Sequence, residues 1–469
     1  MNVEQMYTNC LAQGAYFISH KGEAAVIDPL REVDEYIEMA KEKNVKIKYI
    51  FETHFHADFV SGHLTLAEKT GAKIIFGPLA NTSFESYIAK DGEEFKIGDL
   101  TIKTLHTPGH TMESTTYLLK DENGKNHAIF SGDTLFLGDV GRPDLAQKAA
   151  DMTQEELAAN LYHSLRNKIM PLEDEVIVYP GHGAGSACGK NMSKETVDTL
   201  GNQKKTNYAL RADMTVEEFV KEVTDGLLPP PYYFPHNVAM NKKGYISIDE
   251  VLEKGNTELE PSDVEKFINE KNVLVLDVRS VEEFAQEHIP GAFFIGLDGQ
   301  FAPWVGALIK DIHQPLVLVT PEGREQETVT RLARVGYDNT LGYLKGGLKE
   351  WKAAGFNTAS ISSVPALEFE ANFEEDKNFV LDVRKETEHL SEHIIGAKNI
   401  PLDFLEEGIK EIDTSKTFYV HCAGGYRSMI ASSILKANGV ENFIDVKGGF
   451  GAIKETNVPK SDYVCPSTL

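Results

Sequence analysis

Short apolar runs alternate in the first half of the chain with longer stretches of mixed polarity. Ala24–Ile27, Ile47–Phe51, Lys73–Phe76, Ala128–Phe130 and Glu175–Tyr179 are too short for helices and rich in β-branched and aromatic residues, so they are predicted strands. Val33–Lys43 and Gln154–Asn167 are predicted helices between them. Strands alternating with helices in this way predict an α/β sheet protein.

The second half is dominated by an internal repeat. Leu276-Asp-Val-Arg279 and Glu287-His-Ile-Pro-Gly-Ala292 recur 105 residues later as Leu381-Asp-Val-Arg384 and Glu392-His-Ile-Ile-Gly-Ala397. In both copies an apolar strand, a helical stretch and a Lys-Gly-Gly turn (Lys345, Lys447) follow. A period this long is not a solenoid unit, so two tandem small α/β domains are expected, at residues 245–358 and 362–460. Leu228, Pro229, Pro230 and Pro231 with Tyr232 and Tyr233 read as the start of a stiff extended connector, residues 229–244, after a first domain of residues 1–228. The expectation is thus an α/β multidomain chain.

Composition narrows the chemistry. With 47 Lys and Arg against 72 Asp and Glu, the net charge of −25 disfavours nucleic acid and anionic membrane surfaces as partners. No apolar stretch is long enough for a membrane span. Only four cysteines occur in 469 residues (Cys10, Cys188, Cys422 and Cys465), which suits a reducing cytoplasm better than a disulfide framework. A homo-oligomer stays open.

The histidines of the first domain are placed where α/β folds carry chemistry, just after strands and turns. His54 and His56 lie two apart on the loop after Tyr49–Glu52, so both imidazoles can turn to one point. His110 in Thr107-Pro-Gly-His110, Asp133 in Ser131-Gly-Asp133 and His182 in Tyr179-Pro-Gly-His182 each follow a glycine that lets the backbone bend. Together these residues point to a metal site.

This ordered set resembles the metallo-β-lactamase superfamily, which implies an N-terminal αββα sandwich. One departure matters: Phe59 stands where two-metal members carry a second-site histidine, so a second site from Asp58, His182 and a bridging Asp133 lacks a nitrogen ligand. One metal per chain is expected. Gly141-Arg-Pro-Asp144 and Gly181-His-Gly-Ala-Gly-Ser186 look like the persulfide dioxygenases of this superfamily. That resemblance implies Fe(II) on His54, His110 and Asp133, with dioxygen oxidising a small-molecule thiol persulfide to sulfite. Two imidazoles and one carboxylate are the ligand set of non-haem Fe(II) oxygenases. His56, Asp58 and His182 could ligate, but holding a ligand's second nitrogen or orienting substrate is the expected role. Arg142 could clamp a substrate carboxylate or pair with Asp144, and Thr111 lies on the same expected wall. Cys188 is expected to be a small packed residue.

A second chemistry resides in the later repeat. The strand Thr417–His421 runs into Cys422-Ala-Gly-Gly-Tyr-Arg-Ser428, and a helix is expected from Met429. Loop amides, the helix's positive end and Arg427 would favour a thiolate, so Cys422 is expected to be an exposed nucleophile. The paired motifs, this loop and the Lys-Gly-Gly turn resemble the rhodanese sulfurtransferases. By that resemblance Cys422 carries sulfane sulfur and Ala423, Gly424, Gly425, Tyr426, Arg427 and Ser428 cradle it. Asp382 and Arg384 are expected to be structural. In the first repeat the corresponding loop, Thr320-Pro-Glu-Gly-Arg-Glu325, has no cysteine, so that copy is expected to be inactive.

The expected function is therefore persulfide oxidation to sulfite coupled to sulfur transfer, with thiosulfate as the combined product. A thioester hydrolase like glyoxalase II is the alternative enzyme, and a sulfur carrier or sensor is the non-enzymatic one.

Overall fold

The computed structural model describes residues 1–227, 229–270, 272–374 and 379–465, and divides into two compact units. Leu228, the expected last residue of the first domain, lies outside the described residues.

In the first unit, two six-stranded sheets form among the described residues. One orders the strands Asn2–Thr8, Gln13–His20, Glu23–Ile27, Lys46–Glu52, Lys73–Phe76 and Tyr87–Ile88. The other orders Asp198–Thr199, Ile177–Pro180, Asn126–Gly132, Thr115–Lys120, Leu100–His106 and Glu94–Ile97. Tyr16, Ile27, Phe51 and Ile75 from the first sheet form one buried cluster with Ile97, Ile102, Tyr117 and Phe130 from the second. On the outer face of the first sheet, Val26 and Ile50 pack with Tyr36 and Leu66 of the helices Asp34–Glu42 and His63–Thr70. The second sheet is covered by Ala158, Leu161 and Phe219, from the helices Gln154–Ser164 and Val216–Thr224. This is an αββα sandwich.

The predicted strands are present, and Lys73–Phe76 has the expected ends. Antiparallel strands such as Leu100–His106 and Thr115–Lys120 were not foreseen. They are nearly continuous in burial because both faces are covered, so the alternation that would mark them is absent. The expected connector needs a correction. Residues 229–244 are not extended throughout, because Phe234–Lys243 is a helix with proline in its first turn, where a missing N–H costs nothing. Its Asn237 and Asn241 are buried, so this segment belongs to the first unit's packing.

The second unit holds the two repeats. Each has a five-stranded sheet whose pairs are parallel: Glu258–Leu259, Thr340–Leu344, Leu316–Val319, Leu274–Asp277, Phe293–Phe294, and then Ser363–Pro365, Phe443–Lys447, Phe418–His421, Phe379–Asp382, Lys398–Asn399. In both, the Leu-Asp-Val-Arg motif ends an inner strand, and its aspartate (Asp277, Asp382) is clasped by the arginine two residues on. That pairing is structural, as expected.

Candidate active sites

Four loops of the sandwich converge because each follows a strand end. His54 lies two residues beyond Lys46–Glu52, His110 beyond Leu100–His106, Asp133 directly after Asn126–Gly132, and His182 two residues beyond Ile177–Pro180. The approach is close: a β-carbon on Gly181 would sit 2.6 Å from Asp133 Oδ1, so only glycine fits there.

His54, His110 and Asp133 are buried and bring their ligand atoms within 4.8 Å of one another. Asp133 Oδ2 is 3.9 Å from His54 Nε2 and 3.5 Å from His110 Nε2. The outer nitrogens fix which lone pairs face inward. His110 Nδ1 meets the Arg142 carbonyl at 2.9 Å, and a carbonyl only accepts, so Nδ1 carries a proton and, in the neutral ring, Nε2 carries the lone pair. Thr53 Oγ1 donates to Asp28 Oδ2 at 2.8 Å and so accepts from His54 Nδ1 at 3.0 Å. Burial and the neighbouring His56 hold His54 well below the ordinary imidazole range, keeping it a neutral donor. Asp133 Oδ2 has no hydrogen-bond partner although it is buried. Two inward lone pairs and an orphaned carboxylate oxygen fit one cation.

The remaining histidines are occupied by carboxylates. His56 Nε2 lies 3.1 Å from Asp28 and 3.5 Å from Glu52. Burial alone would lower its pKa, but Asp28 and Glu52 together raise it to about 10. His182 spans Asp133 Oδ1 (2.8 Å) and Asp58 Oδ2 (2.7 Å), and against burial these two charges hold it well above the ordinary range. Asp58, His182 and Cys188 also lie within reach of one another, yet both nitrogens of His182 are engaged. Phe59 is fully buried, its ring 4.3 Å from that of His56. Cys188 is buried, and burial followed by Asp58 pushes its thiol well up.

Of the two expectations for Arg142, the structure shows the pair with Asp144. Arg142 is not open as a carboxylate clamp on its Nε and Nη2 side, because Asp144 takes both at 2.7 Å. Its carbonyl meets His110 Nδ1. The Thr111 hydroxyl pairs with Ser114 at 2.7 Å. Sequence reasoning missed Asp28, Glu52 and Asn241. Asn241 donates to the carbonyls of His56 and Phe59, both at 2.8 Å, and accepts from Ser61 N at 2.9 Å, pinning the histidine loop from a helix far along the chain. Asp28 and Glu52 directly follow the predicted strands Ala24–Ile27 and Ile47–Phe51, which was the available signal; Asn241 offered none.

In the second repeat, Cys422 directly follows the strand Phe418–His421 and the helix Tyr426–Ala437 begins four residues later. Gly425 N donates to Cys422 Sγ at 3.1 Å, and the amides of Phe450 and Gly451 bind the carbonyls of Cys422 and Ala423 at 2.6 and 2.9 Å. Ser428 Oγ donates to Gly425 O at 3.1 Å. Two expectations are corrected. Cys422 is 1% exposed rather than open, because the following loop folds over it. Arg427 does not offer unbalanced charge, since Glu388 grips it bidentately at 2.6 and 2.8 Å. In the first repeat the equivalent amide, Gly323 N, donates instead to the Glu325 carboxylate at 3.1 Å, so that loop is filled by its own side chain.

These two sites define a sandwich with a candidate metal centre, followed by two related α/β domains of which the second carries a cysteine loop. The sequence matches the metallo-beta-lactamase superfamily over residues 9–182 and the rhodanese-like domain over 260–354 and 365–456. A metallo-beta-lactamase structure from Staphylococcus aureus subsp. aureus COL is similar with a TM-score of 0.64 and 30% identity, covering 73% of this chain and 98% of that one. The chain belongs to the metallo-beta-lactamase superfamily and carries two rhodanese-like domains in tandem. The mitochondrial persulfide dioxygenase ETHE1 of Homo sapiens is 29% identical over 223 residues, 47% of this chain and 79% of that protein. A hydroxyacylglutathione hydrolase of Rhizobium etli is 37% identical over 165 residues, 34% of this chain and 57% of that protein. No helix among the described residues is long and apolar enough to cross a membrane.

Two predictions follow from the histidines. Restoring the missing imidazole with Phe59→His is expected to raise bound metal from one to two ions per chain by elemental analysis; unchanged stoichiometry would contradict the account of the second site. His56 gains its carboxylate partners on folding, so its stabilisation is complete below the unfolded imidazole value of about 6.5 and fades as pH climbs through about 10. The metal-free chain should therefore lose denaturant resistance in its N-terminal unit as pH rises through that window. His56→Gln should flatten the decline, and an equal loss in both proteins would assign it elsewhere.

Proposed function

We propose that the chain oxidises a small-molecule thiol persulfide with dioxygen at one Fe(II) held by His54, His110 and Asp133, and transfers sulfane sulfur at Cys422. The proposed active regions are residues 1–228 and 362–460, with 245–358 catalytically silent. Sequence similarity reaches both an oxygenase and a thioester hydrolase, so the choice falls to the donor set. The observation that carries the reading is a cluster of two imidazoles and one carboxylate, with His56 and His182 each held by carboxylates instead. A two-metal hydrolase would need those histidines and the one replaced by Phe59.

Bound Fe(II) would supply open positions for sulfur and dioxygen and the redox chemistry between them. The protein's part is geometric and electrostatic. Thr53 and the Arg142 carbonyl hold the two imidazoles in the donor tautomer, and His182 neutralises Asp133 Oδ1 so that Oδ2 faces the metal position. Asn241 keeps the loop backbone in place. One persulfide, one dioxygen and one water give one thiol, one sulfite and two protons. At Cys422, attack of sulfite on the outer sulfur of a cysteine persulfide breaks the S–S bond, forms thiosulfate and returns the thiol. The Gly425 amide, already directed at Cys422 Sγ, favours the sulfur anion.

Oxygen uptake by anaerobically prepared, iron-loaded protein given glutathione persulfide tests the reading. Consumption of one dioxygen per sulfite is expected, and Cys422→Ser should leave uptake intact while abolishing thiosulfate formation. Zinc retained in the site, no uptake, and turnover of a glutathione thioester would establish the hydrolase instead.

A further inference from the structure

The first rhodanese repeat has no cysteine and its loop is filled by Glu325, yet its surface is shaped around the catalytic loop of the second. Tyr426, four residues after Cys422 and the first residue of the helix that follows it, lays its ring against the segment Gly296–Gly299 of the first repeat. Its hydroxyl donates to the Gly296 carbonyl at 2.7 Å. A β-carbon on Gly299 would stand 2.3 Å from Tyr426 Cζ and 2.4 Å from Cε2, and one on Gly296 would stand 3.2 Å from Cε2. The Phe294 ring lies 6.3 Å away at 63°, and Phe294 N donates to Ser433 Oγ farther along the same helix at 3.1 Å.

The second copy provides an internal control. At the positions 105 residues later it carries Pro401 for Gly296 and Phe404 for Gly299. The rhodanese-like fold therefore does not need glycine at either position. What Gly299 of the first copy accommodates is the partner repeat's tyrosine, whereas a β-carbon on Gly296 would meet Phe294 Cζ at 3.0 Å and the Arg279 carbonyl at 3.1 Å of its own repeat as well as the tyrosine ring. The converse also holds, because the first copy has Arg324 at the position of Tyr426, paired with its own Asp298 and Glu327. The contact is one-directional, from catalytic loop into silent domain.

We infer that the silent repeat is a seat for the active loop: Gly296 and Gly299 receive Tyr426, and this contact positions Cys422 for sulfur transfer. The inference rests on Cys422 being the sulfur-carrying residue. Loop amides act on the sulfur only at hydrogen-bond range, with Gly425 N, the residue before Tyr426, at 3.1 Å from Sγ. Moving Tyr426 moves that donor. Tyr426, Gly296 and Gly299 are thus positioning residues rather than catalytic ones.

The test uses the full iron-loaded chain with thiosulfate as sulfur donor and cyanide as acceptor. Gly299→Ala is expected to lower kcat for transfer at least about tenfold, the scale on which small misplacements of a reacting group act, with oxygen uptake on glutathione persulfide unchanged. Tyr426→Ala should lose transfer similarly, and the double variant should be no worse than Tyr426→Ala alone, since the clash disappears with the ring. Tyr426→Phe, which keeps the ring and removes only the hydroxyl, should fold and show a smaller fall in kcat with KM unchanged. Full transfer in Gly299→Ala, or losses that multiply in the double variant, would overturn the seat. Transfer persisting in Cys422→Ser would instead overturn the assignment of the sulfur carrier.

Discussion

Asp133 keeps one carboxylate oxygen without a hydrogen-bond partner in a position sealed from water, and much of the N-terminal unit is arranged around that fact. An ionised group buried without compensation costs several kcal/mol, on the order of 3–5 when a partner is removed. The nearby histidines hold its carboxyl far below the usual range despite burial. Its Oδ1 is satisfied by His182, so the unmet charge is concentrated on Oδ2, where His54 and His110 also direct their lone pairs. A cation is the natural complement. The same logic explains the company around it: Asp28, Glu52 and Asp58 compensate His56 and His182, leaving two imidazoles and one carboxylate to face the metal.

The sulfur site relies on a different device. Its arginine is paired with Glu388 while still facing Cys422, and oriented backbone amides and the start of the helix Tyr426–Ala437 add to the field at the sulfur. Amides act over short range and depend on the loop holding its shape. The first repeat has no cysteine, and its amide at Gly323 is satisfied by Glu325 where the second copy has sulfur.

Much of this was legible in the sequence because it depends on local order. Glycine before His110, Asp133 and His182 marked turns at strand ends, and the duplicated Leu-Asp-Val-Arg motif marked two related domains. The five antiparallel strands Asn2–Thr8, Gln13–His20, Glu94–Ile97, Leu100–His106 and Thr115–Lys120 went unread, in part because burial on both faces of Gln13–His20 and Leu100–His106 erases the period-two signal. Contacts distant in sequence were also beyond reach. Nothing around Asn241 announces that it will bind the loop at His56 and Phe59, more than 180 residues earlier. The charge of Arg427 was misjudged for the same reason, since Glu388 arrives from another part of the fold.

The central claim is a single iron held by two histidines and one aspartate. Anomalous diffraction at the iron absorption edge from crystals of the iron-loaded protein tests it most directly. The account predicts one peak per chain, bonded to His54 Nε2, His110 Nε2 and Asp133 Oδ2, with His56 still against Asp28 and Glu52. A second peak at Asp58 and His182, or His56 turned onto the metal, would contradict it.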